Sequence, residues 1–216
     1  MTGGENTFGI IVLLLTTAFL PMLAVTVTAF AKIAVVIFLV RNALGVQQIP
    51  PNIILYSLTL ILSVYIAMPV LGVAYDELAA RGFEFHTLAE WQDAGRAVAA
   101  PLKDFLFKHT DPKQLAFFRE STRTIWGQKL AAGADPQSFA VLVPSFLLSE
   151  LTQAFEMGFL LYLPFVAVDI IVTTILVALG MMMVPPTTVS VPFKLMLFVF
   201  LDGWTKLVQG LILSYA

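Results

Sequence analysis

Cysteine is absent from the 216 residues, which excludes a disulfide framework, a thiolate metal site and a thiol nucleophile. Charge is scarce as well. Only 12% of residues are charged and the net charge is -2, with no basic cluster of the kind that tracks a phosphate backbone, so nucleic acid is not an expected partner. The two histidines, His86 and His109, lack spaced ligand partners, and no metal site is expected. Neither a G-x-x-x-x-G-K-[ST] phosphate loop nor a G-x-S-x-G elbow occurs, so nucleotide hydrolysis and serine catalysis are unsupported and no cofactor is expected. The opening MTGGENTFGIIVLLLTTAFLPMLAV lacks the positive n-region of a cleaved signal and reads as a retained first helix.

What remains is apolar. Hydrophobic residues make up 59% of the chain and the mean hydropathy is +0.90, a composition of polytopic membrane proteins. The runs Phe8 to Leu44, interrupted by Lys32, and Ile53 to Tyr75 form one pair of arms, the second long enough to span a hydrocarbon core of about 30 Å. The runs Pro144 to Leu179 and Pro192 to Tyr215 form another. Charges of both signs concentrate between Asp76 and Gln137, a soluble, mainly helical insertion. There Thr87 to Glu90 has capping-box form and opens a helix with Leu88, Trp91, Val98, Leu102 and Phe105 inward, which Pro101 kinks or divides. Asp111-Pro112 opens a second helix, with Leu115, Phe118 and Ile125 inward and a close near Gly133. The expected architecture is all-α: a hairpin over 1-75, the insertion over 76-138 and a second hairpin over 139-216.

The two hairpins turn alike. Ala43 to Pro51 and Ala178 to Pro186 both read A-L-G-x-x-x-[I/V]-P-P, with Gly45 and Gly180 suited to the helix C′ position and Pro50-Pro51 and Pro185-Pro186 forbidding helix continuation. Lys32, Arg41 and Lys194 flank these turns, which places both on the cytoplasmic side and the insertion and termini opposite.

The apolar arms also carry Lys32, Glu150, Glu156, Asp169, Lys194, Asp202 and Lys206. A carboxylate near the centre of a spanning helix costs roughly 2.5 to 3.5 kcal/mol on insertion scales, so such residues mark a bundle interior or a wet path. Buried pairs that hold subunits in register suit scattered positions better than a proton relay does, and Asp202 to Lys206 has the favourable i, i+4 order for a helix pair. An aspartyl dyad of Asp169 and Asp202 lacks the G-x-G-D context. Met181, Met182 and Met183 read either as loop-end packing or as a deformable pore closure built from polarizable thioethers.

The segments AKIAVVIFLVRNALGVQQIPPN, PSFLLSELTQAFEMGF, LPFVAVD, ALGMMMVPP and VPFKLMLFVFLDGW closely resemble the FliP/SctR family of type III secretion export apparatus proteins, over nearly the whole chain. The Lys32-Ile33 and Val46-Gln47-Gln48 forms look more like the injectisome branch, SctR, than the flagellar one. The resemblance implies an inner-membrane complex of about five copies, with SctS/FliQ-like and SctT/FliR-like subunits and with SctU- and SctV-like export proteins nearby. That complex is helical and largely periplasmic, and it passes unfolded secreted proteins through a pore. It further implies that Met181, Met182 and Met183 line the constriction, that the polar positions make inter-subunit contacts, and that the chain is not an enzyme. An ion-coupled transporter and a passive membrane scaffold are the competing readings.

Overall fold

The computed structural model describes residues 18, 21, 22, 24-46, 48-80, 88-127, 135 and 137-216. Seven helices are defined among them: α1 Phe30–Ala43, α2 Asn52–Ala79, α3 Leu88–Lys108, α4 Pro112–Ile125, α5 Phe139–Ala178, α6 Pro186–Phe200 and α7 Gly203–Leu213. The protein is all-α.

The centre is α1 against α5. Ile33, Val36, Ile37 and Val40 repeat at helical spacing and are all buried, so one stripe of α1 faces inward. On α5, Ala154 and Gly158 stand one turn apart and are buried beside it. A Cβ at position 158 would collide with Leu39. Small residues at i and i+4 let two backbones approach closely, and in an apolar medium that contact itself supplies the stabilisation.

The other helices lean on this pair. Helix α2 covers α1 through Leu55 and Leu62, and its buried hydroxyls are satisfied one turn back, Thr59 on the Leu55 carbonyl and Ser63 on that of Thr59. Helix α3 packs on α2 and α5, and α4 on α5. Asp111 caps α4 by accepting from the Lys113 amide at 2.7 Å, with Pro112 at N1, while its own amide donates to Ser149 Oγ on α5 at 2.9 Å. The insertion is thereby bound to the long helix.

Several boundaries differ from the sequence expectation. Helix α5 has 40 residues, a length of about 60 Å. It starts five residues before Pro144 and runs through both Pro144 and Pro164. Helix α2 runs through Pro69 and past Tyr75 to Ala79, and α3 continues through Pro101. An internal proline removes one hydrogen bond and crowds the preceding turn, but a long packed helix absorbs both. Helix α6 begins at Pro186 rather than Pro192 and bends by 61° into α7. The expected apolar faces of the insertion shift too. Val98 and Ile125 are exposed, whereas Ala94, Ala97 and Leu106 are buried; Leu102, Phe105, Leu115 and Phe118 are half-buried as expected. Most of the helix expected from Phe8, together with Thr87, the side chains of Leu88 and Trp91, and Gly133, lies outside the described residues.

Candidate functional site: the methionine tip and its polar anchors

Helix α5 ends at Ala178, and the chain reverses over a few residues. Gly180 has φ +72°, a left-handed conformation that a Cβ disfavours. The Met181 amide bonds the Leu176 carbonyl at 2.9 Å, which is the long bond of a Schellman cap. Pro185 and Pro186 then open α6 from the N-cap and N1 positions. Between these stops Met181, Met182 and Met183 stand 45%, 81% and 97% exposed. Three thioethers thus project from a fixed turn.

The first turn uses the same closure. Gly45 has φ +73°; the Leu44 amide bonds the Val40 carbonyl and the Gly45 amide that of Asn42, as Leu179 and Gly180 bond Ile175 and Val177. The turns then diverge: Gln48 takes φ +61°, and the next helix starts one position later, with Pro51 as N-cap of α2 and Pro50 half-buried beside it. Arg41 Nη1 reaches the Asn52 side chain and the Pro50 carbonyl.

A polar cluster ties the two turns together. Lys194 Nζ on α6 donates to Asp169 Oδ2 on α5 at 2.6 Å and to the Ala43 carbonyl at 3.0 Å, and Ser190 Oγ donates to Asp169 Oδ1 at 2.7 Å. The lysine is buried. It spans the α5–α6 hairpin and also neutralises an orphan carbonyl at the C-terminal end of α1, where the helix dipole favours a cation. The two Pro-Pro turns therefore lie at the same end of the molecule. Val168, Val172, Leu176, Val189, Phe193 and Leu197 line an apolar groove of about 450 Å³ between the hairpin arms.

A second cluster lies along α5. Lys32 Nζ is 3.1 Å from Glu150 Oε1 and 2.9 Å from Gln153 Oε1, with both charged side chains sealed from solvent, and it sits 3.8 Å above the Tyr215 ring. Tyr215 Oη donates to Glu150 Oε2. Phe105 of the insertion stacks on the same ring, and His109 meets it edge-on. Burial, followed by the charges of Lys108 and Lys32, lowers the pKa of His109 to about 4. One buried ion pair thus joins α1, α5, the end of the insertion helix α3 and the C-terminal residues.

The seven polar positions divide into two groups. Lys32 with Glu150 and Lys194 with Asp169 pair within one chain. Glu156, Asp202 and Lys206 are exposed. The i, i+4 helix pair expected of Asp202 and Lys206 does not form, because Asp202 is not helical: at φ +51° it is the corner between α6 and α7. Sequence reasoning missed Tyr215, Gln153 and Ser190, which have no local signal. Lys194 on the Ala43 carbonyl joins residues 151 positions apart.

The FliP family pattern matches residues 13-211. A probable translocation protein, y4yL, of Sinorhizobium fredii is 52% identical over 209 residues, covering 95% of this chain and 94% of that protein. The Yop proteins translocation protein R of Yersinia pestis is 47% identical over 206 residues, 95% and 94% of the two chains. The virulence protein YscR of Salmonella typhimurium is 41% identical over 200 residues, 91% of each. Among the described residues, two helices, α2 and α5, are long and apolar enough to cross a membrane, and bent α6–α7 makes a third candidate. The chain belongs to the FliP family of type III secretion export apparatus proteins, on the injectisome side of that family.

Proposed function

We propose that this chain is a pore-forming core subunit of the export gate, passing unfolded proteins across the bacterial inner membrane. About five copies would assemble with SctS-like and SctT-like subunits, beside SctU- and SctV-like proteins, and much of the complex would project to the periplasmic side with both Pro-Pro turns toward the cytoplasm. The carrying observation is the methionine tip: three consecutive thioethers, exposed, on a turn fixed by Gly180 and anchored through Lys194 and Asp169. A ring of such tips is apolar and poorly wetted. It blocks ions by dewetting yet deforms around a threaded chain.

The transporter reading needs carboxylates free to load and release an ion. Glu150 and Asp169 are each held by a lysine of the same chain, which argues for a structural role. Mass measurement of the detergent-extracted complex tests the assembly. About five copies of this chain with SctS-like and SctT-like subunits are expected; a monomer that drives ion-coupled uptake alone would replace the gate with the transporter.

A further inference from the structure

Helix α5 buries Ala154, Gly158 and Phe165 on one stripe. At 3.6 residues per turn, Glu156 projects roughly 180° away from it. The face so defined is apolar and uncovered: Phe155, Phe159, Leu160 and Leu163 are all exposed, with the Glu156 carboxylate among them, exposed and without an ion pair or side-chain hydrogen bond among the described residues. Neither lipid nor water suits that face as a whole. A carboxylate is expensive against hydrocarbon, and four large apolar side chains in a row are a patch that soluble surfaces avoid.

The chain holds a matching surface elsewhere. On the apolar helices among the described residues, Lys32 and Lys194 are consumed by Glu150 and Asp169, and Arg41 by Asn52 and the Pro50 carbonyl. Lys206 on α7 is the remaining cation, exposed and unpaired. It follows the sharp corner at Asp202 and is framed by exposed Val199, Phe200 and Leu213. An unpaired acid in an apolar frame and an unpaired base in an apolar frame are complementary in both charge and surface. The cations of the insertion, such as Lys113 and Arg119, lie instead on α4, a helix rich in polar and charged residues.

Resting on the oligomeric reading above, we propose that the outer face of α5 docks the α6–α7 corner of a second copy of this chain, Glu156 of one copy pairing with Lys206 of the next. A two-fold contact would pair Glu156 with Lys206 twice and close a dimer, which does not accommodate about five copies. The contact proposed here is therefore head-to-tail. Such contacts repeat around an axis and build rings or rising helices rather than closed dimers.

Because the chain has no cysteine, the contact can be read by disulfide trapping in the intact complex. Chains carrying Glu156→Cys alone, Lys206→Cys alone, and both together are expressed with the full set of partner subunits and oxidised in the membrane. The expected result is a ladder of covalent multimers from the doubly substituted chain, a single heterodimer band when the two singly substituted chains are mixed, and no dimer from either alone. A Glu156→Cys homodimer, or an assembled complex with no cross-link, would overturn the pairing while leaving the oligomer intact. Failure of the unsubstituted chain to form any oligomer would instead overturn the gate reading. Charge reversal gives a second readout: Glu156→Lys and Lys206→Glu each lower complex yield by about tenfold, and the double reversal recovers to within about twofold. A double variant no better than either single one would also refute the pair.

Discussion

Lys32 and Glu150 show how a polar residue becomes tolerable in an apolar arm. Each is sealed from solvent, yet each finds the other, with Lys32 also donating to Gln153 and the Tyr215 hydroxyl donating to Glu150. Removing one member leaves an uncompensated buried charge. Lys32→Ala or Glu150→Ala is therefore expected to destabilise by about 3 to 5 kcal/mol, whereas Lys32→Met with Glu150→Leu should be nearly neutral. Thermal unfolding of the detergent-solubilised complex measures both, and single variants as mild as the double would mean that the pair is not ionic. The two turn glycines give a sharper contrast. Alanine at either meets the left-handed penalty of about 1 to 2 kcal/mol. At Gly180 the new methyl meets open space, but at Gly45 it would press on Val191 Cγ2 at 3.0 Å. Gly45→Ala should lower the melting temperature more than Gly180→Ala; the reverse order would contradict the packing of the first turn on α6.

At the scale of elements, the seam between the insertion and the arms carries a titration. His109 lies against Phe105 and Tyr215, outside the membrane-spanning candidates, with its pKa lowered to about 4. An unfolded histidine protonates near pH 6.5. Between those values the unfolded state binds the extra proton, so the contribution of His109 is complete above about pH 6.5 and is lost as the pH falls toward 4. The parent complex should lose more melting temperature between pH 7 and pH 5 than His109→Phe; equal losses would show that the ring is not docked. The same seam marks what the sequence could not disclose. The A-L-G-x-x-x-[I/V]-P-P turns were legible because glycine and proline act locally, and the structure repeats their closing bonds at Gly45 and Gly180. Helix ends at Pro144 and Pro192 were misread because tertiary packing carries α5 and α6 through those prolines. Asp202 was misread as helical because nothing nearby announces a left-handed corner, although Gly203, where a Cβ would strike the Phe198 ring, permits one.

For the whole molecule, family membership and an all-α membrane fold were legible in long contiguous segments, whereas the pairing of polar residues was not. Single positions such as Lys194 and Ala43 are joined only by the fold. Those joins bring the two turns to one end and leave Met181, Met182 and Met183 exposed there, while Glu156 and Lys206 remain unmatched on the flanks. The central claim is that the methionines seal a pore. Its most direct test is membrane conductance in cells producing the complex with Met181, Met182 and Met183 all replaced by alanine, with assembly followed on native gels. Shorter side chains widen a hydrophobic constriction and let water in, so the assembled triple variant should leak small ions that the parent excludes, and leucine at the three positions should leak less than alanine. An assembled triple-alanine complex as tight as the parent would contradict the claim and leave the methionines as packing residues at a turn.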